Sequence, residues 1–150
     1  MKKHLTIALL VIGSLYNMYG QKKYKIDFTD PESVVNAIFY SAQTKDYSIL
    51  QCICDPLGKG DGDTKRLCSI SKLAEQVKSY GGSEKTRQIL DEFVSTFELG
   101  RVNGQVTFIE FEGEKIAKVP FLFNHPGGEK RSNETMNLVQ RFGNWYISSF

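Results

Sequence analysis

Three cysteines, Cys52, Cys54 and Cys68, are the residues whose type and spacing point most directly to chemistry. Three thiols cannot all pair within one molecule, and a bridge between Cys52 and Cys54 would strain a tight turn. Cys68 is therefore the natural partner of one of them, and Cys54 is favoured because residues 55–67 close as an ordinary loop. The alternative is that all three are reduced and pack as small apolar side chains.

Metal and redox chemistry are less favoured for the same residues. A zinc site would need the three cysteines together with His125, and the spacing of Cys52 and Cys54 is C-x-C, whereas zinc knuckles and redox motifs use C-x-x-C. The sequence therefore predicts no metal and no cofactor.

A glycine-rich segment, residues 58–63, carries two weak ligand-binding patterns. A phosphate loop needs Ser or Thr after its lysine, and Lys59 is followed by Gly60. A calcium loop could begin with Asp61 and Asp63, but Lys65 follows where an oxygen ligand is needed. The segment is therefore predicted to be a flexible excursion between helices.

Acid–base catalysis would need a carboxylate or histidine held beside a hydroxyl group in an apolar setting. The side chains considered for this are Tyr40, Tyr47, Glu110, His125 and Glu134. Glu110 shares a strand face with Phe108 and could point into the cavity, but Thr107, Ile109 and Phe111 make an equally good inner face. A solvent-facing carboxylate is thus the favoured interpretation of Glu110, and a surface position that of His125.

The first twenty residues have the layout of a secretory signal peptide. Lys2 and Lys3 precede an apolar run over residues 7–12, and Gly20 is a small residue at which cleavage can occur. No cysteine for lipid attachment follows, so a soluble periplasmic or extracellular protein is expected to start near Gln21. The alternative is that residues 1–20 are retained as an N-terminal membrane anchor.

The charge balance bears on the partners of the exported part, residues 21–150. The chain has 19 Lys and Arg against 17 Asp and Glu, and removal of Lys2 and Lys3 makes these numbers equal. A neutral chain lacks the excess of positive charge with which proteins bind nucleic acid. The length is that of one domain, and nucleic acid is not expected as a partner.

Helical spacing of apolar residues dominates the first half of this domain. Asp30 or Thr29 can cap a first helix with Pro31 in its first turn. Its apolar face includes Val34, Val35 and Ile38. The spacing then predicts a short helix through Tyr47, Leu50 and Ile53, a third from about Thr64 to Gly81, and a fourth from Ser83 to Gly100.

Strand patterns replace helical ones after Gly100. Four strands are predicted, at residues 105–111, 115–124, about 132–142, and 145–150, separated by turn dipeptides. Pro120 lies within the second, which is therefore expected at a sheet edge or with a bulge. The order of elements predicts an α+β domain with its helices packed on a curved, antiparallel, four-stranded meander.

Two segments carry a resemblance to a known superfamily. Residues 30–47, with their Asp-Pro-Glu start and Lys-Asp-Tyr break, resemble the opening helix of the nuclear-transport-factor-2-like superfamily, and residues 142–150 resemble its terminal hairpin. The resemblance is to small exported bacterial members of unknown function. It implies a cone-shaped, cystatin-like fold with a cavity at its wide end, but no single function, because this fold hosts enzymes, transport adaptors and ligand-binding domains.

The leading functional interpretation is a non-enzymatic binding or interaction domain that uses an apolar cavity or the outer sheet face. Its partner would be a small apolar molecule, a peptide or protein, or a second copy of the chain, with membrane contact only through an uncleaved signal segment. The alternative is a lyase or isomerase with an acid–base pair in the cavity. Candidate lining residues are Phe39, Tyr40, Phe93, Phe97, Phe108, Glu110 and Trp145.

Overall fold

In the part of the chain that the structure describes, the helices precede the strands, as the apolar periods predict. The computed structural model describes residues 23–125 and 130–150, so the predicted signal peptide and most of the loop before β4 lie outside the described residues. Its elements are α1 (Pro31–Thr44), a 3₁₀ helix (Tyr47–Cys52), α2 (Gly62–Tyr80), α3 (Glu84–Phe97), β1 (Arg101–Val102), β2 (Thr107–Phe111), β3 (Glu114–Asn124), β4 (Arg131–Arg141) and β5 (Asn144–Ser149).

Each helix begins at a polar side chain that satisfies one of its free N–H groups. Asp30 accepts the N–H of Glu32 at 3.0 Å before α1, and Ser83 accepts the N–H of Thr86 at 3.2 Å before α3. The apolar face predicted for α1 is buried, which confirms that interpretation. The structure describes no helix with the length and apolar character needed to cross a membrane.

The sheet is antiparallel and centred on β3. Its strands lie in the order β1-β3-β4-β5, and β2 also pairs with β3, alongside β1. The α+β class is confirmed, and all four predicted strands form. The two-residue strand β1 is a fifth that the sequence analysis did not predict, and the cone shape stays a prediction.

Pro120 does not mark an edge strand, because β3 is paired on both sides. On the side of β3 that faces β1 and β2, pairing stops at Val102 of β1 and resumes at Thr107 of β2. Pro120 lies opposite this gap. Asn103 donates its N–H to the Pro120 carbonyl at 2.9 Å. Gly104 passes so close that a Cβ would lie 2.8 Å from the proline ring. The missing N–H of proline therefore falls where the neighbouring strands are interrupted.

The core lies between the helices and one face of the sheet. Helix α1 packs on β1, β3 and β5, α2 packs on β5 and the 3₁₀ helix, and α3 packs on β3. The ring of Phe39 lies at its centre, with ring centroids 6.4 Å from Phe97 and 6.2 Å from Phe121. Gly100 is buried against Phe39, so the chain turns from α3 into β1 directly over the Phe39 ring.

A buried ion pair ties the segment between the 3₁₀ helix and α2 to the sheet. Arg141 at the end of β4 lies 3.1 Å from the Asp55 carboxylate, whose side chain is fully buried. Arg141 also contacts Glu114 at 2.8 Å, and Lys59 contacts the same carboxylate at 3.0 Å. The hydrogen bonds from Lys59 and then Arg141 lower the pKa of Glu114. These four charged groups form one network at the end of the sheet.

The outer edge of β5 is occupied by two other segments. The N–H of Trp145 donates to the carbonyl of Phe28 at 2.8 Å, and the N–H of Ile147 donates to the carbonyl of Ile53 at 2.8 Å. Cys54 forms an isolated parallel bridge with Ile147. Strand β5 therefore does not present a free row of hydrogen-bonding groups.

The disulfide joins Cys54 to Cys68, the pair that the sequence analysis favoured. It links the segment beside β5 to the first half of α2, with the two Cα atoms 6.1 Å apart. Cys52 keeps a free, exposed thiol. Because two of the three thiols are oxidised, the zinc alternative does not fit this structure.

The disulfide closes a loop with a sequence separation of 14, for which chain entropy gives about 3 kcal/mol of stabilisation. We expect a reducing agent, or the double replacement of Cys54 and Cys68 by alanine, to lower the free energy of unfolding by about that amount. Urea unfolding with and without reductant measures it. Cys52→Ser is the matched control and should show the same loss on reduction as the wild type, whereas an unchanged stability on reduction would contradict the role of the bridge.

Gly100→Ala should destabilise the protein by about 1–3 kcal/mol, because an added Cβ would lie 2.5 Å from two atoms of the buried Phe39 ring. Thermal unfolding followed by circular dichroism checks this. Gly62→Ala is the control, since nothing lies within 4 Å of a Cβ there. Equal melting temperatures for the two variants would show that the ring can move aside.

Candidate functional site

A cleft opens between α2, α3 and the face of β3 that packs on the helices. One part, the helical pocket, has a volume of about 220 Å³ and lies mainly between the two helices. The other part, the sheet pocket, has a volume of about 300 Å³ and lies against β3 and β4. The residues that line both parts are Asp63, Thr96, Phe97, Phe123 and Phe150. The two pockets thus adjoin, and together we call them the Phe97 cleft.

Helical and strand periodicity explain why these side chains meet. The lining residues of α2 are at positions 63, 66, 67 and 70, and those of α3 are at positions 89, 92, 93, 96 and 97. Spacings of three and four place each set on one face of its helix. Phe121 and Phe123 alternate along β3 and share a face of the sheet. The cleft is therefore where two helix faces and one strand face converge.

Aromatic rings form most of the apolar wall. The ring centroid of Phe97 lies 5.4 Å from that of Phe93, 6.5 Å from that of Phe123 and 6.4 Å from that of Phe150. Phe121 lies 5.8 Å from Phe123. These separations are those of interacting aromatic pairs, so the wall is a set of mutually supported rings rather than independent side chains.

Charged groups line the rest of the cleft. Its acids are Asp63 from α2, Glu92 from α3 and Glu134 from β4, and its base is Arg66. Arg66 lies 2.8 Å from Glu92, and the Glu92 side chain is partly exposed. The hydroxyl group of Thr96 donates to the Glu92 carbonyl at 2.7 Å.

Asp61 connects the start of α2 to the end of β5 beside the cleft. Its carboxylate accepts the N–H of Thr64 at 2.8 Å and the N–H of Phe150 at 3.3 Å, and its own N–H donates to the Ser148 carbonyl. Burial acts to raise the pKa of Asp61, but these backbone hydrogen bonds outweigh it and hold the pKa below its ordinary value of 3.8. Asp61 therefore fixes the relative positions of two lining residues, Asp63 and Phe150.

The predicted lining residues fall into three groups, of which two residues belong to α3, two to α1 and three to β2 and β5. Phe93 and Phe97 line the cleft. Phe39 is buried behind Phe97, and Tyr40 stacks on Tyr24 with ring centroids 4.9 Å apart. Neither of these two lines the cleft.

Phe108, Glu110 and Trp145, which were also candidates for a cavity lining, do not line the Phe97 cleft. All five residues of β2 are exposed, with Phe108 62 % exposed, because β2 lies at the sheet edge. Trp145 is buried and packs on Phe108 with ring centroids 5.7 Å apart. Glu110 lies opposite Lys115 of β3. The strand alternation placed these residues on a face but did not show that the face continues beyond the helices.

The other acid–base candidates occupy separate places. Tyr47 packs edge-on against Phe93 with centroids 5.9 Å apart, and burial, then the charge of Asp91, raises its pKa. His125 is exposed and bonds through Nε2 to the Ser132 hydroxyl group. Glu134 lines the sheet pocket. Within the described part of the chain, Tyr47, His125 and Glu134 are not linked to one another by a hydrogen bond.

The glycine-rich segment, residues 58–63, has a structural role. Asp61 uses its carboxylate oxygens on backbone N–H groups, and Asp63 lies in the first turn of α2. Within residues 23–125 and 130–150, no three His, Cys, Asp or Glu side chains gather in a way that would hold a metal ion.

Phe123, Phe150, Ile70 and Thr96 are lining residues that the sequence analysis did not propose for the cavity. Ile70 and Phe123 lie at apolar positions of the predicted third helix and second strand, so a search for gaps between apolar faces could have found them. Phe150 has no such signal, because its position follows from the hydrogen bond of its N–H to Asp61.

Comparison of the chain with protein-family models, with curated proteins and with solved structures gives no match. The resemblance of residues 30–47 and 142–150 to the nuclear-transport-factor-2-like superfamily therefore stays a prediction.

Asp61→Ala should lower the free energy of unfolding by about 1 kcal/mol near neutral pH, because it removes the cap of α2 and the contact with Phe150. The folded-state pKa of Asp61 is lowered, so its charge stabilises the fold above the unfolded pKa, and this contribution is lost as the pH falls through the lowered value. Urea unfolding at a series of pH values should show the difference from wild type shrinking below pH about 4. Glu75→Ala, which replaces an exposed acid on the same helix, is the control. A difference in stability between Asp61→Ala and wild type that stays the same at all pH values would contradict the role of the Asp61 charge.

Proposed function

We propose that the protein is a non-enzymatic binding domain that takes a small, largely apolar molecule in the Phe97 cleft. The observation that carries this proposal is the convergence of Phe93, Phe97, Phe123 and Phe150 around an open volume of about 220 Å³. Ligand sites in proteins are concave, mostly apolar and bordered by a few polar groups. The cleft has each of these properties.

The size and shape of the cleft limit the ligand. Sites for drug-sized molecules commonly have volumes of about 300–1,000 Å³, so the helical pocket suits a smaller molecule, such as one carrying a single substituted ring. Aromatic walls favour such a ring, because stacked and edge-on contacts add to the free energy gained by burying apolar surface.

We further propose that the domain works outside the cytoplasm, in the periplasm or beyond the cell. The disulfide between Cys54 and Cys68 supports this location, because disulfides persist mainly in oxidising compartments. The apolar run and the lysines at residues 1–20 support the same proposal.

Binding is favoured over catalysis by the exposure of the polar groups in the cleft. A lyase or isomerase of the kind considered above depends on an acid or histidine whose properties are tuned by burial. Asp63 and Glu134 are exposed and Glu92 is partly exposed. The buried acid Asp55 is bound to Arg141 in a network that does not line the cleft.

Thr96→Trp should fill the cleft and prevent binding, since Thr96 lines both pockets. An NMR titration of the isotope-labelled protein with indole, a small neutral aromatic probe, should shift amide signals around Phe97 and Phe123 in the wild type. The variant should lose these shifts while keeping its fold. Loss of the ring contacts in Phe97→Ala should weaken the same shifts.

Gln88→Trp is the matched control, because it adds the same side chain to an exposed position of α3 that does not line the cleft. It should bind indole as the wild type does. Indole shifts confined to residues away from the cleft, or unchanged in Thr96→Trp, would contradict the proposed function.

A further inference from the structure

The cleft carries more negative than positive charge. Three acids and one base line it, and the base, Arg66, is already paired with Glu92 at 2.8 Å. Asp63 and Glu134 form no ion pair with any residue that the structure describes. They approach from different elements, Asp63 from the first turn of α2 and Glu134 from β4. A ligand in the sheet pocket therefore lies between two uncompensated carboxylates.

Glu134 stands where the apolar part of the helix-facing side of β4 ends, between Ser132 and Met136 on the same face of the strand. It lies directly opposite Phe121 of β3, which is 1 % exposed. It shares its face of β4 with Met136 and Leu138, which are fully buried. Glu134 itself is exposed, so its position borders open space and is not part of the core. A carboxylate placed there contributes nothing to the core, and the adjoining sheet pocket is the space that it borders.

Aromatic rings complete a setting that suits a positive charge. The rings of Phe97, Phe123 and Phe150 line both pockets, and the centroid of Phe97 lies 6.5 Å from that of Phe123 and 6.4 Å from that of Phe150. The face of an aromatic ring is electronegative and attracts ammonium and guanidinium groups within about 6 Å. Rings and carboxylates in the same cleft thus favour the same charge on a ligand.

An anionic ligand has no comparable support. The start of a helix attracts an anion where its first N–H groups lack a partner. The N–H of Thr64 is instead bonded to the Asp61 carboxylate, the N–H of Lys65 is bonded to the Asp61 carbonyl, and Asp63 adds a negative charge to the same turn.

We propose that the ligand of the Phe97 cleft is an organic cation, a molecule with an apolar ring body and an ammonium or similar positive group directed toward Glu134 and Asp63. This inference rests on the proposed function, because it assigns a charge to the molecule that the cleft binds. The ring body occupies the phenylalanine wall of the helical pocket, and the cationic group occupies the sheet pocket, where both carboxylates lie.

Three probes with the same ring test the inference: tryptamine, which is cationic near neutral pH, indole, which is neutral, and indole-3-acetate, which is anionic. NMR titrations of the purified protein should give dissociation constants in the order tryptamine, indole, indole-3-acetate, with tryptamine about fivefold to tenfold tighter than indole. The preference should decrease with added salt, because exposed carboxylates are screened.

Glu134→Gln keeps the size of the side chain and removes its charge. It should abolish most of the preference for tryptamine while leaving indole binding unchanged, and Glu110→Gln, an exposed acid outside the cleft, should alter neither. Equal binding of the three probes, or tighter binding of indole-3-acetate, would overturn the inference and leave the proposed function standing. Failure of all three probes to shift signals in the cleft would overturn both.

Discussion

The ion pair between Asp55 and Arg141 is the interaction on which the arrangement of the cleft depends. The Asp55 side chain is fully buried, so removal of Arg141 would leave its charge without compensation, a loss of about 3–5 kcal/mol in comparable cases. The neighbouring residue, Cys54, is bonded to α2 through Cys68. One short segment is thus held to β4 by charge and to α2 by a covalent bond, and α2 is a wall of the cleft. The position of that wall relative to the sheet follows from both attachments.

Local patterns predicted most of the fold because they reflect local physics. The caps Asp30 and Ser83 and the apolar face of α1 depend on neighbours within one or two turns, and the structure confirms them. The two errors are non-local. Strand β1 has only two residues and no alternation to detect, and the central position of Pro120 depends on a gap between β1 and β2 that only the paired sheet creates.

The candidate site was less predictable than the fold, because a cleft is a property of several elements together. Phe93 and Phe97 were proposed from the stripe of one helix, and both line the cleft. Phe108 and Glu110 were only candidates for a cavity lining, because alternation reports the face of a strand and not how far the helices cover it. Glu134 was considered only as a catalytic acid, and its place opposite Phe121 depends on the register between β3 and β4.

The two edges of the sheet differ in a way that bears on assembly. The edge of β5 is occupied by hydrogen bonds to residues near Phe28 and Ile53, whereas β2, at the other edge, exposes all five of its residues. Edge-to-edge growth of a sheet into a fibre requires two free edges on every copy. A chain with one occupied edge can add a single neighbour along β2, and that addition uses the open edges of both molecules. Among the described strands, the open edge along β2 is therefore the one available for pairing with another copy.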